Sequence, residues 1–128
     1  KIWVDFSTNA ENGGRVYIYG QNAGLKSDAT TTTIPSASGD LSSLASGFGA
    51  QGSTVSQGSG GPMGMVAPYT GAAQVVGIID TTVREIFSAT APVAGGRASL
   101  VLKAKSSSVT PAANDYGDIL TLIASANY

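Results

Sequence analysis

Cysteine and histidine are both absent from the 128 residues. That removes thiol and imidazole nucleophiles, disulfides, and the usual ligand sets for zinc, haem and iron-sulfur clusters. Charge is also scarce, at 12% of the chain against about 25% in an ordinary soluble domain. Seven Lys and Arg against eight Asp and Glu leave a net charge of -1. The basic residues are scattered from Lys1 to Lys105, so no basic field exists to displace counterions from a phosphate backbone, and nucleic acid is not an expected partner. The longest apolar stretch, Val75-Val76-Gly77-Ile78-Ile79, is far too short to cross a bilayer, and no membrane span is expected. Nothing at Lys1 reads as a signal peptide, so an exported protein would have lost its leader before this residue.

What is abundant is small. With 17 Gly, 18 Ala, 16 Ser and 12 Thr, small and hydroxylated side chains fill about half the chain, a composition associated with surface proteins. The length suits one domain spanning residues 1–128.

Alternation of period two runs through Ile2-Trp3-Val4-Asp5-Phe6, with Ile2, Val4 and Phe6 on one side of a half-buried strand. The Asn12-Gly13 step offers a tight reversal into Arg15-Val16-Tyr17-Ile18-Tyr19, and the two strands read as a β-hairpin. In that hairpin Val16 and Ile18 join the core, while Tyr17 and Tyr19 lie near Trp3 on the other face. Thr30-Thr31-Thr32-Thr33-Ile34 before Pro35 reads as a short edge strand. Residues 40–46 suggest one or two helical turns, with Asp40 as an acceptor ahead of Leu41 and Leu44. Residues 47–61 are almost wholly Gly, Ser, Gln and Ala and read as a long flexible loop inserted in the domain. Further strands are expected at Val75-Val76-Gly77-Ile78-Ile79 and, after a Gly95-Gly96 turn, over residues 97–105. A last strand over residues 118–128 should send Leu120, Leu122, Ala124, Ala126 and Tyr128 inward. Strands separated by turn residues, with few helical signals, predict an all-β sandwich or barrel.

Each candidate for chemistry has a structural reading that fits its flanks better. Gly47-Phe48-Gly49-Ala50-Gln51-Gly52 matches G-x-G-x-x-G but lacks the strand before it and the helix after it. Ile78-Ile79-Asp80-Thr81-Thr82 is similar to the apolar-apolar-Asp-Thr-Gly of aspartic proteases, with Thr82 in place of the Gly. Asp80 otherwise ends a strand and ties a turn. Asp115 and Asp118 beside Asn114 offer oxygen ligands, too few for a calcium loop. An isopeptide crosslink needs Lys1, Lys103 or Lys105 buried beside an Asn and an acid, and the strand pattern puts Lys103 and Lys105 toward solvent. No catalytic residue, cofactor or metal is expected. Trp3, Tyr17 and Tyr19 on one face suit either stacking on sugar rings or packing against a partner.

Two stretches carry a resemblance. Ser7-Thr8-Asn9-Ala10-Glu11-Asn12-Gly13-Gly14 resembles the S-T-N-A-x-N-G hairpin of uncharacterised surface proteins from small, uncultivated bacteria. Thr110-Pro111-Ala112-Ala113-Asn114-Asp115-Tyr116-Gly117-Asp118-Ile119-Leu120-Thr121 is similar to their closing segment and, more remotely, to that of fimbrial subunits. The overall plan resembles biofilm-fibre subunits of the TasA and camelysin kind. The resemblance implies a Greek-key sandwich displayed outside the cell, whose fibrous members polymerise by donating a β-strand to the next copy. Identical subunits are then the expected partners, with Ile2, Trp3, Val4, Phe6, Tyr17 and Tyr19 at the joint and Asn12, Gly13, Tyr116 and Asp118 shaping the fold. The alternative is a secreted module that binds glycan or protein.

Overall fold

Alternating and β-branched apolar residues draw the chain into strands throughout. The computed structural model, which describes residues 1–128, has twelve strands and no helix. Numbered in chain order, the first sheet runs β1 (Ile2–Thr8), β11 (Val93–Lys105), β6 (Gly47–Ser56), β9 (Val75–Ile78) and β5 (Gly39–Asp40), with β7 (Ser59–Gly60) added on β11. The second runs β12 (Leu120–Ala126), β2 (Gly14–Gly20), β10 (Arg84–Ala89) and β8 (Met63–Met65). A small ladder joins β3 (Gly24–Lys26) to β4 (Thr33–Pro35). All ladders are antiparallel, and from β8 to β12 every connection crosses from one sheet to the other. The all-β sandwich is thus the fold.

The inner faces of both sheets share one core. Phe6, Val16, Ile18, Phe48, Ile86, Phe87, Ala98 and Leu100 are buried in it. Burying each large aliphatic or aromatic side chain stabilises by roughly 1.5–3 kcal/mol. Tyr69 lies fully buried among them, its hydroxyl donating to the Ile78 carbonyl at 2.8 Å.

The Asn12-Gly13 hairpin does not form. β1 pairs with β11, from Ile2 opposite Leu100 to Thr8 opposite Val93, whereas β2 pairs with β10 and β12. Alternation tells which side of a strand is apolar, and it reads the same whether two strands lie side by side or face each other across a core. Here they face each other, and the Phe6 ring lies against Gly14, where a Cβ would come within 2.4 Å of it. Gly13 still turns the chain, with φ +70° and its N–H donating to the Ala10 carbonyl. A Cβ there would collide with the Ala89 carbonyl.

The expected flexible loop at 47–61 is in large part a central strand. β6 pairs with β11 from Arg97 opposite Ser56 to Lys105 opposite Gly47, and its first six residues are all buried. Its glycines are small because neighbours are close: a Cβ on Gly49 would lie 2.6 Å from the Gly77 carbonyl oxygen, and one on Gly52 would strike Met65. Composition underestimated this segment because its order comes from β11 and β9 on either side.

Three smaller expectations are corrected. Within residues 40–46 a single turn follows β5, with Ser43 N–H donating to the Asp40 carbonyl and Asp40 Oδ1 accepting from Ser42. One such bond does not repay helix nucleation. Of the four threonines only Thr33 is in a strand, because Thr31 adopts φ +55°. Gly95 and Gly96 lie inside β11, with Gly95 at φ +63°, so they bend a strand already begun.

Candidate interaction surface

The residues expected at a joint divide between the core-facing side of β1 and the outer faces of both sheets. With Ile2, Val4 and Phe6 inward, Trp3 stands on the outer face of the first sheet, half exposed and opposite Ser99. Arg97 stacks over the indole at 4.7 Å and Lys1 lies 5.9 Å from the ring centre, contacts worth about 0.5–1 kcal/mol when exposed. Tyr17 and Tyr19 stand on the outer face of the second sheet, opposite Ile123 and Thr121. Trp3 therefore cannot form one aromatic stripe with the two tyrosines. Phe6 is buried in its own core, while Ile2 and Val4 are half-buried against it.

The last strand is more open than its alternation implies. β12 is the edge of the second sheet. Phe6 of β1 packs over Gly14 of β2, and the inner face of β12 is covered only in part. Leu120 and Leu122 reach the core, but Ala124 and Ala126 are exposed on the side meant to be inward. Tyr128 is 88% exposed and lies beyond the strand. On the outer face Ile123 is also exposed. No Lys, Arg, Asp, Glu, Pro or Gly occurs in LTLIASA. Natural edges usually carry such residues to deter pairing with another chain. Alternation alone gave no signal of this incomplete cover. β11 offers a second free stretch, because β1 begins opposite Leu100 and residues 101–105 pair only with β6.

The polar candidates serve the fold. Asp80 accepts from Thr82 N–H and from Arg84 Nε and a terminal guanidinium nitrogen, at 2.8–3.2 Å. The Arg84 hydrogen bond holds its carboxyl below the ordinary range, so it is an ionised, turn-tying group. Asp115 accepts from Ser27 Oγ at 2.6 Å and from Ala29 N–H at 2.9 Å, which also lowers its pKa. Asp118 Oδ1 accepts from the Asn22 and Ile119 N–H groups, while Oδ2 is buried beside Gly20 without a partner. Gln21, Asn22, Lys26, Asp28, Asp115 and Asp118 line a polar cleft of about 390 Å³, but no three acidic side chains converge there. Tyr116 donates its hydroxyl to the Pro111 carbonyl at 2.9 Å and stitches the closing loop. Gly47, Gly49 and Gly52 of the G-x-G-x-x-G match lie within β6, where the backbone is engaged in ladders rather than free to cradle a phosphate. Lys105 Nζ donates to the Ser42 and Leu44 carbonyls.

No helix is long and apolar enough to cross a membrane. No family model, curated protein or solved structure matches the chain.

Proposed function

We propose that the chain is a non-enzymatic structural subunit of an extracellular filament or surface layer, joined by β-strand contacts between identical copies. The observation that carries this reading is β12: a seven-residue sheet edge whose inner face is exposed at Ala124 and Ala126 and which has no charged, proline or glycine residue to guard it. An exposed edge is a template for another strand. A net charge of -1 offers little repulsion between packed copies. The sandwich fold and the two resembling segments agree with the reading, and the cell-surface location is proposed from the resemblance alone. Glycan binding draws less support, because its three aromatic candidates lie on two opposite faces.

Negative-stain microscopy of the concentrated protein tests the proposal, with sedimentation velocity across a concentration series. Repeating assemblies or concentration-dependent growth in mass are expected. A monomer at every concentration, in both measurements, would contradict it.

A further inference from the structure

We propose that β12 pairs with β12 of a second copy of this chain, antiparallel, about a two-fold axis at Ile123. This rests on the subunit reading above in one respect, that the partner is an identical copy.

The hydrogen-bonding pattern defines what the edge can accept. Gln21 N–H donates to the Ile119 carbonyl and Asn127 N–H to the Gly13 carbonyl. Between them the register with β2 is unbroken, from Leu120 opposite Gly20 to Ala126 opposite Gly14. Because backbone groups alternate in direction along a strand, residues 121, 123 and 125 point theirs at β2. Those of Leu120, Leu122, Ala124 and Ala126 point away from the sheet. The partner must present its own outward groups opposite these four residues.

A second β12, reversed, does so in the register that overlaps all seven residues. Leu122 then stands opposite Ala124 and Leu120 opposite Ala126 as hydrogen-bonded pairs, with a large residue meeting a small one on the inner face. On the outer face Thr121 meets Ser125, and Ile123 meets its own copy as a non-hydrogen-bonded pair. The strand has no charged side chain, so the axis brings no like charges together. The other long edge fails this test: full overlap of β1 with its own copy would set Asp5 opposite Asp5, a destabilising pair. A two-fold joint closes on itself. Longer assemblies therefore need a second contact on the opposite flank, where β5 and β8 end the two sheets.

Cysteine crosslinking tests the register cleanly because the chain has no thiol of its own. Non-hydrogen-bonded partners have Cα atoms about 4.5 Å apart, within the range a disulfide spans. Ile123→Cys should oxidise to a covalent dimer. Thr121→Cys and Ser125→Cys should each crosslink poorly alone and efficiently when mixed. Ile123→Lys should weaken self-association more than about tenfold by setting two like charges together, with the monomer's melting temperature unchanged because Ile123 is exposed. If the wild type associates but Ile123→Lys leaves it unchanged and Ile123→Cys stays monomeric, copies join elsewhere: this inference fails and the subunit reading stands. A wild type that neither associates nor supports crosslinking refutes both.

Discussion

A methyl group on Gly49 should destabilise the domain, and one on Gly64 should not. An ideal Cβ on Gly49 lies 2.6 Å from the Gly77 carbonyl oxygen and 2.8 Å from Val76 Cγ2. The carbonyl belongs to the neighbouring strand β9, paired with β6 through Ala50 opposite Gly77, so relief requires backbone movement in a central ladder. Overpacking of this kind costs about 1–3 kcal/mol. The reduced freedom of the unfolded chain returns about 0.4–1 kcal/mol, so Gly49→Ala should lose about 1–2 kcal/mol net. At roughly 3–5 °C per kcal/mol for a chain of this length, the melting temperature should fall by about 3–10 °C. Gly64 also lies in a strand, yet nothing stands within 4 Å of its ideal Cβ. Gly64→Ala should therefore match or slightly exceed the wild type. Circular dichroism melts, repeated in urea to check that the transition remains two-state, measure both. If the two variants melt together, residues 47–56 are not the packed strand described above.

Tyr116→Phe should cost about 0.5–1.5 kcal/mol through loss of the hydrogen bond to Pro111, read as a lower urea midpoint with an unchanged slope. The Asp40, Asp80 and Asp115 carboxyls are held below their ordinary value by hydrogen bonds from Ser42, Arg84 and Ser27 respectively. Their stabilisation is complete above the unfolded value of about 3.9 and is lost as pH falls through the depressed folded values. The acid limb of a stability–pH profile should therefore be shallower in Asp115→Asn than in the wild type, and identical slopes would show that Asp115 has no such role. Limited digestion with a broad-specificity protease should spare residues 47–52 and cut first in the largely exposed segment 106–115; first cleavage inside 47–52 would contradict their burial.

The strands most legible in the sequence were those whose side chains carry the pattern themselves. Ile2, Val4 and Phe6, then Val16 and Ile18, identify inward faces by alternation alone. Pairing was not legible in the same way: the Asn12-Gly13 signal describes a local turn and does not say whether the next strand returns to its own sheet or crosses the core. β6 was hidden for the opposite reason, since its Gly-rich residues have little preference of their own and acquire order from close contact with Gly77 and Met65. At the candidate surface, alternation found the inward side of β12, but an inward direction is not burial. Whether Ala124 and Ala126 are covered depends on how far the opposing sheet extends, which alternation within one strand does not give. The uncharged composition of β12 reads equally as core or as an unguarded edge.

Residue-resolved amide exchange as a function of protein concentration tests association through this edge most directly. The Ile123 amide, directed at β2, should be protected at every concentration. The Leu122 and Ala124 amides, directed away from the sheet, should exchange rapidly when dilute and become protected together as concentration rises. Rapid exchange of both at concentrations where the protein is assembled would contradict pairing through β12.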